Sequence, residues 1–121
     1  MRGSERMTTD GDSRISQFRK GVVELAIFAL LHRGEAYGVE IVDALSGHPG
    51  LAISAGTVYP LLSRLKRAGM IDSSWQESPL GPPRKYYRLT PAGDREFTDM
   101  AHAWDGVTSA MHDLLADGSA R

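Results

Sequence analysis

The stretch Gly56-Thr57-Val58-Tyr59-Pro60-Leu61-Leu62-Ser63-Arg64-Leu65-Lys66-Arg67-Ala68-Gly69-Met70-Ile71 constrains the fold more than any other part of the chain. Val58, Leu61, Leu62 and Leu65 recur at i, i+3, i+4 and i+7, the period of a helix with one apolar stripe. Thr57, Ser63, Arg64, Lys66 and Arg67 occupy the other side. Such a helix buries one face and offers hydroxyls and cations on the other. That arrangement suits the major groove of DNA, but a charged face that is merely solvated gives the same pattern.

The next residues favour the first of these. Met70 to Glu77 predicts a strand with Ile71, Ser73 and Trp75 on one side. Ser78 to Pro83 predicts a turn by its proline and glycine content. Arg84 to Leu89 predicts a second strand, with Tyr87 and Leu89 facing in and Arg84, Tyr86 and Arg88 facing out. A recognition-type helix leading into a basic hairpin is the plan of a winged helix. The hairpin reaches along the DNA backbone or into the minor groove while the helix sits in the major groove. Pro79, Pro82 and Pro83 make this wing tip stiffer than a polar one, which argues against deep insertion.

The formal net charge of −1 hides a segregation of charge. Residues 54–88 carry a net +4, residues 91–121 a net −4 and residues 1–53 a net −1. Local field rather than net charge steers a protein onto phosphate. There is no cysteine, which leaves no disulfide framework, thiolate metal site or thiol nucleophile. No apolar run approaches transmembrane length and the start is polar, so no membrane partner and a cytoplasmic location are expected. No serine sits in a Gly-x-Ser-x-Gly elbow and no glycine loop for phosphate is present. The reading is therefore not an enzyme, with no cofactor.

The rest of the chain frames this centre. Residues 1–13 have little to bury and are expected to be a disordered tail. Ile15 to about Arg33 predicts a long, nearly all-round apolar helix central to the fold, ended by Gly34 as a left-handed cap. Lys20, with Gln17 and Arg19, lies at its amino end within reach of backbone phosphates. Tyr37 to Leu45 predicts a short second helix closed by Gly47, with Ile41, Val42 and Leu45 toward the core. Ser54 is placed to cap the helix that follows. Pro60 then falls past its first turn, so either the helix bends there or its regular part begins near Thr57.

Thr90-Pro91 reads as an N-cap with proline at the first helical position. The last helix, residues 91–116, carries Phe97, Met100, Trp104, Val107, Met111 and Leu115 in near-heptad spacing, followed by a tail over 117–121. A helix this long has little of its own small domain left to cover. Its stripe predicts a partner helix, most simply its own copy, with packing onto the first helix of the same chain as the alternative. The expected fold class is thus mainly α with a small β-hairpin: a winged helix-turn-helix over residues 14–90 plus a long C-terminal dimerisation helix. His102 and Asp105 lie one turn apart on the polar face of that helix and suggest a metal ion only weakly; a solvated face explains them without one.

Tyr37-Gly38-Val39-Glu40-Ile41, Gly56 to Leu65, Gly69-Met70-Ile71, Trp75 and Arg84 to Gly93 together resemble the PadR family of bacterial transcriptional regulators over roughly residues 20 to 115. The single C-terminal helix is similar to that of the short subfamily. The resemblance implies a winged-helix homodimer on double-stranded DNA, usually a repressor released from a pseudo-palindromic operator by a small molecule. It implies DNA contacts at Tyr37, Ser54, Thr57, Tyr59, Ser63, Arg64, Lys66 and Arg67 and, on the wing, at Arg84 and Lys85. It also implies that Trp104, in the dimer helix, brackets a planar aromatic effector between subunits; a tryptophan that only fills the interface is the plainer reading. Two alternatives stand beside this: a dimeric winged-helix module that binds a ligand or protein without reading DNA, and a metal-ion-responsive member of the same family.

Overall fold

The computed structural model describes the backbone of residues 2–51 and 53–120 and, within these, the side chains of residues 14–51 and 53–116. The element order is α1 (Arg2–Arg33), β1 (Ala36–Tyr37), α2 (Gly38–Ser46), a single 3-10 turn (Pro49–Leu51), α3 (Ala55–Arg67), β2 (Ile71–Ser78), β3 (Gly81–Leu89) and α4 (Pro91–Ala120). The tails expected over 1–13 and 117–121 fall outside the residues whose side chains are described. The helix expected from Ile15 to Arg33 lies within α1.

The apolar stripes meet in one core. Val23, Ile27, Phe28 and Leu31 of α1, Ile41 and Leu45 of α2, Val58, Leu61, Leu62 and Leu65 of α3, Ile71 of β2 and Tyr87 of β3 are all buried. The four α3 residues that define its sequence period are the four it buries. Val42 is only partly buried, packed at the edge of this core. Gly34 ends α1 at φ +156°, more extended than the left-handed cap expected of it.

The sheet differs from expectation in two ways. It has three strands, in the order β1-β3-β2, all antiparallel. Tyr37 is the N-cap of the second helix and not its first helical residue. It pairs with Tyr86 in β1, and its backbone N–H donates to the Glu40 carboxylate at 3.0 Å to hold the start of α2. The second difference is in the wing, where β3 begins at Gly81, so Pro82 and Pro83 belong to the strand and not to the turn. Gln76 pairs with Arg84 but Ser78 with Gly81, which places one extra residue on β3 at the prolines. A bulge tolerates residues that lack an N–H, and β1 does not extend that far along β3.

The α3 helix runs without interruption from Ala55 through Pro60 to Arg67, so its regular part begins before Thr57. Ser54 occupies the N-cap position with extended backbone, yet its hydroxyl makes no cap hydrogen bond and lies 3.4 Å from that of Thr57. The other end is closed by paired bonds from Met70 N–H to the Leu65 carbonyl and from Gly69 N–H to the Lys66 carbonyl, each 3.0 Å. This double closure requires a left-handed residue, and Gly69 supplies it at φ +78°.

The same corner anchors α4. Thr90 N–H donates to the Met70 carbonyl at 3.1 Å, and the Thr90 hydroxyl donates to the Gly69 carbonyl at 2.6 Å. That hydroxyl also accepts the Gly93 N–H at 3.0 Å, which makes Thr90 a working N-cap. The end of α3 and the start of α4 are therefore one hydrogen-bonded joint. From it the 30 residues of α4 extend about 45 Å at the helical rise.

Candidate nucleic-acid interface

The polar face of α3 is exposed at Ser54, Thr57, Tyr59, Ser63, Lys66 and Arg67, while Arg64 is half-buried. The structure gathers most of the residues singled out from sequence into two neighbouring concavities. One lies between α1 and α3, where Lys20, Thr57, Arg64 and Arg67 face each other across about 370 Å³. A second recess beside it adds Arg19 and Ser54 to Lys20 and Thr57. The other concavity, about 430 Å³, lies between the start of α2, α3 and the wing, and is rimmed by Tyr37, Tyr59, Trp75, Arg84, Lys85 and Tyr87. Ser63 and Lys66 line neither.

The wing cations are held on aromatic rings. The Arg84 guanidinium sits 4.5 Å from the centre of the Tyr37 ring, and the Lys85 ammonium 5.8 Å from that of Tyr87. Tyr37 is itself set edge-on to Tyr86, centroids 5.4 Å apart. Cations over ring faces gain about 0.5–1 kcal/mol at exposed sites and lose little of their charge. The wing's positive groups are thus positioned before any partner arrives. Tyr59 lies against Gly38, where any Cβ would meet its ring. Tyr87 is buried, and burial followed by the neighbouring Tyr59 phenol raises its hydroxyl pKa above 10.0.

Other candidates are engaged within the chain. The Lys66 ammonium donates to the Ser73 hydroxyl of β2 at 2.7 Å, so it is directed along the sheet and away from the α1–α3 concavity. Arg64 is ion-paired with Glu24 of α1. Trp75 faces the same side as Ile71, as alternation requires, but is 69% exposed at the rim of the wing concavity. Glu24 and Gly38, which are not among the candidates read from the sequence, also shape this surface. Glu24 stands one turn beyond Lys20 on α1, a spacing that was available as a signal; nothing local marks Gly38 as the seat of Tyr59.

On α4 the apolar stripe divides. Phe97 and Met100 pack partly against the chain's own core, and the Phe97 ring lies 4.8 Å from that of His32. His32 Nδ1 stands 3.1 Å from an Asp94 carboxylate oxygen, a second tie between α1 and α4. Trp104 rims a groove of about 500 Å³ with Leu25 and Ala29 of α1, and His102 and Asp105 lie on its edge. Beyond it Val107, Met111, Leu114 and Leu115 are exposed, as are Ile15 and Phe18 of α1. Among the described residues no group of three or more His, Cys, Asp or Glu side chains is placed to hold a metal ion. No helix among them is long and apolar enough to cross a membrane.

A three-helix core, an exposed polar helix face and a hairpin carrying oriented cations define a winged-helix protein. Residues 27–99 match the Transcriptional regulator PadR-like family, and the chain belongs to that family. It is 36% identical over 83 residues to the transcriptional regulator Rv3488 of Mycobacterium tuberculosis, covering 69% of this chain and 76% of that one. A PadR-like transcriptional regulator of Bacillus cereus superposes with a TM-score of 0.75 at 34% identity, over 82% of this chain and 96% of the other. Bacillus subtilis PadR in complex with operator DNA superposes with a TM-score of 0.61 at 28% identity, over 66% of this chain and 45% of that one.

Proposed function

We propose that this transcriptional regulator binds double-stranded DNA as a homodimer, acts as a repressor in the cytoplasm, and is released by a planar aromatic effector. The observation that carries the reading is that the two concavities flank one exposed helix, α3. Lys20, Thr57 and Arg67 on one side of α3, and Tyr59, Arg84 and Lys85 on the other, line its two flanks with cations and hydroxyls. Such an arrangement suits α3 to the major groove and the wing to the backbone.

The homodimer is supported by the uncovered half of α4. Val107, Met111, Leu114 and Leu115 lie beyond the reach of their own core, are about half exposed, and would each gain on the order of 1 kcal/mol on full burial. Ile15, Phe18, Val22, Leu25 and Ala29 of α1 repeat at alternating steps of three and four, a second seam beside the first. A second copy covers both seams at once. The effector reading rests on Trp104, whose indole borders the α1–α4 groove and is 41% exposed. An effector releases DNA only if it binds the DNA-incompetent spacing of the two wings more tightly than the competent one.

Selection of duplexes from a random library by the wild-type protein tests the reading. Two inverted half-sites, with centres about one helical turn or a multiple apart, are expected. Enrichment of no duplex, or of a single asymmetric site, contradicts it.

A further inference from the structure

Arg64 is one of three cations around the concavity between α1 and α3, with Lys20 and Arg67. Among the described residues it alone of the three has an ion-pair partner, its Nη2 donating to Oε2 of Glu24. Glu24 is the more sheltered member, with a side chain 21% exposed against 43% for Arg64. The acid therefore lies beneath the guanidinium, which keeps its remaining donors at the rim. Lys20 precedes Glu24 by four residues on the same face of α1, and Arg67 follows Arg64 by one turn on α3.

An acid in this position opposes phosphate binding, since it removes one positive charge from the local field. It also supplies something an isolated arginine lacks. The guanidinium is a planar fork of five donors, and tying one of them to a carboxylate narrows the orientations open to the rest. An arginine held in one plane reads a base edge with little ordering cost, whereas a mobile one settles on whichever phosphate is nearest.

We propose that Glu24 is a positioning residue that holds Arg64 in one orientation and so sets the discrimination between operator and other DNA. The inference rests on the DNA-reading function proposed above and names the residue that gives it specificity. Glu24 is half-buried, so Glu24→Gln keeps its shape while removing the charge and turning one acceptor oxygen into an amide donor.

The test compares wild type, Glu24→Gln, Arg64→Ala and the double variant. Each is titrated with the duplex enriched by the wild type and with a random-sequence duplex, across a range of salt. Glu24→Gln should tighten binding to random duplex and steepen its log–log salt dependence by about 0.9, one added phosphate contact. The preference for the enriched duplex should fall roughly tenfold, the size of one lost oriented arginine contact. In the Arg64→Ala background the same substitution should leave that preference unchanged. An unchanged preference in Glu24→Gln, even with a lowered melting temperature, overturns the proposal by reducing the pair to packing. So does an equal effect in the Arg64→Ala background, which would make Glu24 a mere contributor to the overall field. A wild type that prefers no duplex overturns the proposed function itself, and this inference with it.

Discussion

The ring of Tyr59 rests on the backbone of Gly38, so closely that a Cβ at residue 38 would stand 2.5 Å from Tyr59 Cε1 and 2.6 Å from its hydroxyl. The side chain that α3 sends toward the wing is therefore positioned by an absent side chain at the start of α2. Gly38→Ala should push the tyrosine outward, at about 1–3 kcal/mol for overpacking. DNA affinity should fall with it, to the level of Tyr59→Ala. Thermal unfolding and a DNA titration of both variants check this. A Gly38→Ala protein with full DNA affinity would show that Tyr59 need not sit there.

Gly93 is constrained more severely. A Cβ there would lie 1.9 Å from the Met70 carbonyl oxygen, a backbone atom that is also bonded to Thr90. Backbone held from both sides cannot give way as a tyrosine ring can. Gly93→Ala should cost at least ~3 kcal/mol, the upper part of the overpacking range, and loosen the joint between α3 and α4. Denaturant unfolding measures the loss; a cost below that of Gly38→Ala would contradict the tightness of this joint.

These two glycines mark where the sequence ceased to be legible. The helices, their buried faces and the hairpin follow from periods of 3.6 and 2 within single segments, and Val58, Leu61, Leu62 and Leu65 are buried as their spacing requires. The β1 strand has only two residues, too few to show any period. Pro82 and Pro83 read as a turn because the bulge that admits them depends on the partner strand. Most of the candidate site was legible as residue types on one polar face. Its pairings were not: Glu24 with Arg64, Lys66 with Ser73 and His32 with Asp94 each join different elements, and only tertiary packing brings them together.

The exposed half of α4 predicts the assembly. Met111→Asp or Trp104→Asp would place a charge in the proposed seam, at a cost on the order of several kcal/mol. Light scattering should give twice the chain mass for the wild type and a single chain mass for the variants at micromolar concentration. A monomeric wild type would remove the dimer, and with it the operator of two half-sites.

Tyr87 makes stability depend on alkaline pH. Its folded-state pKa is raised above 10.0 by burial and then by the Tyr59 phenol, so its neutral form is the one the fold favours. The stability it contributes is full below the ordinary tyrosine value and is lost as pH rises through the higher folded value. Urea midpoints should fall above about pH 10 in the wild type and fall less in Tyr87→Phe. Equal alkaline losses in both would place the sensitivity elsewhere.

The claim that the cations flanking α3 and on the wing meet DNA is tested most directly by salt dependence. Arg67 and Lys85 are the informative probes. Among the described residues Arg67 has no ion-pair partner, and Lys85 is held over a ring, whereas Arg64 is bound to Glu24. Affinity for the enriched duplex is measured against salt for the wild type, Arg67→Ala, Lys85→Ala and the pair. Each substitution should lower the slope of log affinity on log salt by about 0.9, and the double variant by the sum. Slopes equal to that of the wild type would mean that neither side chain meets phosphate, and that the surface built by α3 and the wing is not the one that binds DNA.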